Sequence, residues 1–348
     1  MRVLLVQVDG FFPNLALMKL SSHHKSLGDE VHFLRLPRKW FRGFKKPVNL
    51  QINPLTCEVD KVYISCLFSW NRSLAYSLAS MFQSFGCEVE LGGTGISLTK
   101  NLPENIEKCF PDYTLYPNLN YSLGYFSRGC IRSCPWCVIP KKEGHIRAVA
   151  DLKDFWLPRH RRIIVLDNNL LAAPNWEKAL NDLIKERLEV CFTQGLDIRL
   201  INDENAKLLR LCKYRDNEFE KPRLYFSWDI LEIEDSVMKG IETLKRHGIP
   251  PNRLMFYVLI GYGVKAEDYT WEYFMQNDYY RFEVLKKLKC LPFIMLYNNR
   301  KDLPLARAFR RYVNRHLYNS WNFEKYLKHR WKIKYDEEKD NEFNRQAY

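Results

Sequence analysis

The sequence has no apolar run approaching the roughly 20 residues that a membrane-crossing helix needs, which excludes a helical span. Its first apolar stretch, within MRVLLVQVDG, is too short for the core of a secretory signal and reads as a buried strand. A cytoplasmic location is therefore expected. In that reducing compartment, clustered cysteines serve as metal ligands or reactive groups rather than as disulfides. No internal repeat is present. Acidic side chains are outnumbered, 41 against 54 lysines and arginines, and the net charge of +13 calls for an anionic partner.

The excess charge lies in two places. One is RLPRKWFRGFKKP, from Arg35 to Pro47, where basic residues alternate with Trp40, Phe41 and Phe44; the other runs from Arg300 through ARAFRRYVNRH and KYLKHRWKIK. Basic and aromatic residues mixed in this way can grip phosphates and stack on bases. Lysine and arginine stems lying over an amphipathic helix produce the same pattern. An anionic substrate, a nucleic acid among the possibilities, is the expected partner.

Strand-like and helical patterns alternate from the N-terminus. Val3 to Val8, VHFLRL, Lys61 to Phe68 and CEVELGG read as strands, with helical patterns over Leu15 to Leu27 and Asn71 to Phe85 between them. This β-α-β rhythm predicts a doubly wound, Rossmann-like domain over residues 1–111. The rhythm resumes after Gly124, with strands at Arg161 to Asn169, Leu188 to Arg199, Arg223 to Asp229, Arg253 to Gly263 and Cys290 to Asn298. About six β/α units follow, the count of a partial (β/α)6 barrel over residues 112–299. A helical, basic C-terminal extension over residues 300–348 completes an α/β chain.

A fourth ligand is missing from the one cysteine cluster. In GCIRSCPWCVIP, Cys130, Cys134 and Cys137 stand in the spacing C-x3-C-x2-C, and no cysteine or histidine follows at a matching distance. Structural zinc closes with four ligands, and catalytic zinc seldom uses three thiolates so close in sequence. An iron–sulfur cubane accepts three protein thiolates and keeps one iron open for a substrate. Gly129 and Pro135 favour a loop that can wrap such a cluster. The other seven cysteines, Cys57, Cys66, Cys87, Cys109, Cys191, Cys212 and Cys290, form no close pair and read as small buried hydrophobes.

With Trp136 directly before the third cysteine and a barrel rhythm beyond it, the cluster resembles the signature of the radical S-adenosylmethionine superfamily. The resemblance implies a [4Fe–4S] cluster on Cys130, Cys134 and Cys137 and reductive cleavage of S-adenosylmethionine to a 5′-deoxyadenosyl radical. It also implies a reducing partner of the flavodoxin or ferredoxin type, and Trp136 beside the adenine. Asp167, Asn168 and Asn169 stand where the family has a Gly-Gly-Glu-like turn; an ordinary Asx turn accounts for them equally. Gln194, Ser227 and Asp229 lie at later strand ends, where barrel sites are built. Leu259-Ile260-Gly261-Tyr262-Gly263 is similar to the family's strand-five segment, whose backbone meets adenine, and Glu267 stands near that segment's usual acidic end.

A doubly wound domain before such a barrel resembles the class that binds cobalamin and mostly methylates carbon. The usual Asp-x-His-x-x-Gly is replaced here by Asp9-Gly10-Phe11-Phe12-Pro13-Asn14, and His23 and His24 fall within the next helix. Corrinoid binding and a scaffold that only shapes the pocket both remain open. Gly92-Gly93-Thr94-Gly95 suits a phosphate or nucleotide-like tail, or a plain tight turn. Two further readings stand beside the radical enzyme. One is a noncatalytic iron–sulfur or zinc protein that binds nucleic acid. The other is a methylthiotransferase-like RNA modification enzyme, suggested by CVIPKKEGHIR but lacking an added C-terminal β-domain.

Overall fold

Alternate residues of the first strand serve two different cores. In the computed structural model, which describes residues 1–36 and 59–331, β1 (Arg2–Gln7) is buried from Val3 onward. Val3 and Leu5 pack with Leu17 and Leu20 of α1 (Leu15–Ser26) and with Ile106. Leu4 and Val6 point the other way. They pack with Val62 and Ile64 and with Ala75, Leu78 and Phe82 of the following helix. A strand with two buried faces belongs to the centre of a parallel sheet covered by helices. The remaining elements are β2 (Glu30–Arg35), β3 (Lys61–Ser65), α2 (Arg72–Ser84) and β4 (Glu88–Gly92). The sheet is parallel throughout, in the order β2-β1-β3-β4. Strand order reverses between β1 and β3, the point at which open α/β sheets form a ligand crevice.

The chain divides into two compact units, Met1–Asp167 and Asn168–Tyr348. The first unit also holds α3 (Glu104–Glu107), β5 (Ser122–Gly124), β6 (Ser127–Arg128), α4 (Ile139–Lys142), β7 (Arg147–Ala148) and β8 (Arg162–Val165). β5 pairs with β8 in parallel, and β6 pairs with β7 antiparallel. The cysteine loop is thus folded into the same unit as the doubly wound sheet.

The second unit alternates helix and strand: α5 (Trp176–Lys185), β9 (Glu189–Phe192), α6 (Asp203–Leu211), β10 (Lys213–Tyr214), β11 (Leu224–Ser227), α7 (Glu234–Arg246) and β12 (Leu254–Ile260). β9 and β10 are parallel, and β12 lies between β11 and β13 (Leu291–Leu296) in a second parallel group. Between β12 and β13 a continuous helical run is made of α8 (Trp271–Phe274), a π-helical turn at Met275–Tyr279, and α9 (Tyr280–Lys287).

After β13 the described residues form helices, chiefly α10 (Pro304–Asn314) and α11 (Phe323–Tyr326). Phe309, Tyr312, Phe323 and Tyr326 are buried and pack on one another. These four rings therefore build the core, as the amphipathic-helix alternative expects, while Arg311 and Arg315 stay outside. Most of the first basic stretch, with Trp40, Phe41 and Phe44, lies outside the described residues, as do Cys57 and the chain beyond Trp331. No described helix is long and apolar enough to cross a membrane.

Candidate cofactor site

The β6–β7 pair closes the neck of the cysteine loop, with Ser127 opposite Ala148 and Arg128 opposite Arg147. At the neck Gly129 adopts φ 87°, and a Cβ there would lie 2.3 Å from the His145 carbonyl oxygen. Only glycine lets the two chain segments come this close. The Cys130 N–H donates to the Gly144 carbonyl at 3.3 Å, and the Cys137 N–H donates to the Cys134 carbonyl at 3.0 Å, which curls the loop. Main-chain N–H groups also approach two of the sulfurs. Arg132 N–H donates to Cys130 Sγ at 3.3 Å and Ile139 N–H to Cys137 Sγ at 3.5 Å. Such donors tune a bound cluster. Cys130, Cys134 and Trp136 are half-buried and Cys137 is exposed.

All nine described cysteines are thiols, and Cys66, Cys87, Cys191, Cys212 and Cys290 are buried as small hydrophobes. Among the described residues, no three histidine, cysteine, aspartate or glutamate side chains converge as a single metal ion requires. Zinc draws its sulfurs to about 2.3 Å from one point. A cubane binds each thiolate at a different iron, so three sulfurs spread around one loop with N–H donors beside them fit that group.

Asp167 holds the entry to this loop. Its Oδ2 accepts from Phe126 N–H at 3.0 Å, and its Oδ1 accepts from Ser127 N–H and Oγ–H, each at 2.6 Å. Burial pushes its carboxyl up to about 6, against the pull of these donors. Lys142 of α4 donates to Thr94 Oγ1 at 2.6 Å, which joins the segment after the third cysteine to the turn after β4. Of the two readings of that turn, the glycine contacts match the plain tight turn. A Cβ on Gly93 would lie 2.3 Å from Cys66 O, and one on Gly95 would lie 2.7 Å from the Phe68 carbonyl carbon. Both press against protein backbone.

At the β1/β3 reversal, buried Asp9 accepts from Leu67 N–H at 2.7 Å, Phe68 N–H at 3.0 Å and Asn71 Nδ2 at 2.9 Å. Gln7 donates to the Asp9 and Phe12 carbonyls, and Arg35 donates to those of Gly10 and Phe11. With their polar groups engaged, the two loops turn rings outward. Phe11 is 64% and Trp70 is 70% exposed, and Phe68 stacks on Trp70 at 4.6 Å between centroids. Buried His24 binds Asp29 at 2.7 Å and Tyr63 Oη at 3.1 Å, so it is committed to the fold.

The other expected contacts belong to the second unit. Asn168 is half-buried, and buried Asn169 donates from Nδ2 to Asp197 Oδ2 at 3.4 Å. Asp197 takes a bidentate pair from Arg199 at 2.6 and 3.0 Å. Gln194 is exposed and Ser227 half-buried. Asp229 Oδ1 accepts from Leu259 N–H at 3.3 Å, and burial raises its carboxyl above the ordinary range. Arg281 donates to the Trp228 and Asp229 carbonyls at 2.9 and 2.8 Å and to Asp278 at 2.7 Å. Ile260 is buried in β12, and Gly261 takes φ 72° against Leu303 and Leu296. Arg300 holds the Gly261 and Val264 carbonyls at 3.1 and 2.9 Å, whereas Glu267 is exposed. The sequence reading had passed over Asp197, Arg199, Arg281 and Arg300 as site builders. For all four the signal available was a local spacing, Asp197-x-Arg199, Asp278-x-x-Arg281 or Arg300-x-Asp302.

No family model and no curated protein sequence matches the chain. Two solved structures of the radical S-adenosylmethionine methyltransferase TsrM from Kitasatospora setae are similar to it. The one with cobalamin and a [4Fe–4S] cluster bound aligns at TM-score 0.61 and 12% identity, over 85% of this chain and 72% of that chain. The one with tryptophan substrate and the S-adenosylmethionine analogue aza-SAM aligns at TM-score 0.60 and 12% identity, over the same shares of 85% and 72%. The chain shares its fold with TsrM.

Proposed function

We propose that this chain is a radical S-adenosylmethionine enzyme, most closely a cobalamin-dependent methyltransferase, built on a doubly wound domain and a partial (β/α)6 barrel. The observation that carries the reading is the cysteine loop. Three thiols sit on a short loop with a closed neck, main-chain donors face two of the sulfurs, and the fold is that of a protein solved with a [4Fe–4S] cluster. Cys130, Cys134 and Cys137 would hold the cluster. When bound, it supplies the electron that cleaves S-adenosylmethionine.

The protein's own part is to hold and shield. Trp136 offers a half-buried ring beside the third thiol for the adenine. Asp167, Asn168, Asn169, Gln194, Ser227, Ile260 and Gly261 are proposed as the further cofactor contacts. Asp167 acts through the loop entry that it fixes, and Gly261 through its main chain. The exposed Phe11 and Trp70 rings at the sheet reversal, with half-buried Phe68 stacked on Trp70, suit the flat apolar face of a corrinoid. The expected division at residues 111 and 299 is kept as the functional one. The net charge of +13 and the exposed Arg311 and Arg315 support an anionic substrate and an acidic reducing partner. The helices after β13 among the described residues give a methylthiotransferase's added β-domain no support.

Anaerobic reconstitution with iron and sulfide tests this reading. Four irons per chain are expected, followed by 5′-deoxyadenosine or S-adenosylhomocysteine once reductant and S-adenosylmethionine are added. A loaded cluster that yields neither product would leave the noncatalytic reading. Added hydroxocobalamin should co-purify with its visible spectrum changed; a protein that stays colourless would reduce the sheet edge to a scaffold.

A further inference from the structure

We propose that Glu143 is a positioning residue that sets the neck of the cysteine loop and so places Cys130 before any cluster is built. The inference rests on the iron–sulfur reading above. Glu143 follows α4, and its side chain is only 5% exposed. Oε2 accepts from the Gly129 N–H at 2.9 Å, the peptide that leads directly into Cys130. Oε1 accepts from Arg128 Nη1 at 3.0 Å, and the Glu143 carbonyl accepts from Arg147 Nη1 at 2.6 Å. A single residue thus ties the start of the loop to its end, across the short β6–β7 ladder.

Arg128 is itself held in place. Its guanidinium lies 3.8 Å from the Tyr125 ring centroid, and Nη2 donates to Glu107 Oε1 at 2.8 Å. Lys19 Nζ in turn donates to the Glu107 carbonyl. The carboxylate is shared between a main-chain donor and a cation, a geometry that fixes it more firmly than either contact alone. Its partners flank the first cluster ligand. This is the arrangement by which residues behind a ligand orient it, and the loss of such support typically costs about 10–100-fold in metal affinity.

The test uses the full chain with Glu143→Ala, Glu143→Gln and Arg128→Met. In apo-protein, the Gly129 amide should exchange with solvent at least about tenfold faster in Glu143→Ala than in wild type. After reconstitution, Glu143→Ala and Arg128→Met should lose iron to a chelator about tenfold faster, with a broadened signal from the reduced cluster. Glu143→Gln keeps an acceptor for Gly129 and should recover part of the retention. Wild-type iron retention and wild-type exchange in Glu143→Ala overturn the proposal. Should Glu143→Ala fail to fold, Glu143→Gln decides, and full wild-type behaviour there overturns it. A wild type that folds but binds no iron sinks the iron–sulfur reading itself, and the clamp falls with it.

Discussion

The two units finish their strands in opposite chemistry. At the β1/β3 reversal of the first unit, Asp9, Gln7 and Arg35 are consumed by loop backbone, and aromatic rings remain on the surface. At the β9, β11 and β12 ends of the second unit, ionisable side chains are paired, fully buried in Asp278–Arg281 and half-buried in Asp197–Arg199. One edge offers a flat apolar platform and the other a fixed set of charges and carbonyls. A large planar macrocycle asks for the first, and a charged nucleoside for the second. Substitutions at each edge should therefore separate the two ligands.

The largest effect is expected in the second unit. Arg281 and Asp278 are 5% and 2% exposed at the side chain, and Tyr269 donates to the same carboxylate. Arg281→Met strands Asp278 as a buried charge and should cost about 3–5 kcal/mol in urea unfolding. Adding Asp278→Asn should restore much of that loss. Because the same guanidinium holds the Trp228 and Asp229 carbonyls, S-adenosylmethionine affinity should fall in the single variant while hydroxocobalamin affinity stays. A loss below about 1 kcal/mol would show that the pair does not carry this edge.

Asp167 gives the next effect, at the loop entry. Burial lifts its carboxyl from 3.8 to about 6, so the folded protein binds this proton more tightly than the unfolded chain. The resulting stability is fully present below the unfolded value and is lost as pH rises through about 6, by up to about 3 kcal/mol. Asp167→Asn cannot titrate, and its unfolding free energy should be flatter than wild type between pH 4 and 6. Equal slopes in the two proteins would show that the three donors from Phe126 and Ser127 outweigh burial.

Much of the fold was legible because its strands are buried on both faces. The run VLLVQV announces a central strand by composition alone, and helix ends such as Leu27-Gly28 carry their own stop. The three cysteines were legible because their spacing is local. What escaped was built from distant partners. Glu143 carries no mark in the sequence, because its partners Gly129 and Arg128 stand 14 and 15 residues away. The Gly92 to Gly95 turn left phosphate and a plain tight turn equally open, because glycine spacing alone cannot tell an approaching ligand from an approaching backbone. The π turn at Met275–Tyr279 shifts helix register without any residue that marks it, and the buried rings of α10 and α11 followed the amphipathic alternative.

Trp70 tests the apolar edge. It stacks on Phe68 at 8° between planes and is 70% exposed, so Trp70→Ala removes a ligand surface at little cost to the core. Hydroxocobalamin affinity should fall about tenfold, the worth of one aromatic stacking contact, with S-adenosylmethionine affinity unchanged. Equal losses for both ligands would collapse the distinction between the edges.

The smallest effect probes how the cluster loop and the apolar edge communicate, since both lie in the first unit. Lys142 reaches Thr94 from the loop side, and burial lowers its ammonium below the ordinary range. Gly93 and Gly95, on either side of Thr94, press on the backbones of Cys66 and Phe68, and Phe68 carries the Trp70 ring. A displacement at the loop thus has a continuous packed route to the platform. Lys142→Met keeps the apolar stem and removes one hydrogen bond, so stability should change by no more than about 1 kcal/mol. The informative quantity is the ratio of hydroxocobalamin affinities with and without the reconstituted cluster. Coupling through this contact predicts a ratio of about fivefold in wild type, falling towards one in Lys142→Met and in Thr94→Val alike. The two variants remove opposite ends of the same bond, so agreement between them would assign the coupling to it. A ratio that survives both would place the communication in the shared backbone of the unit instead.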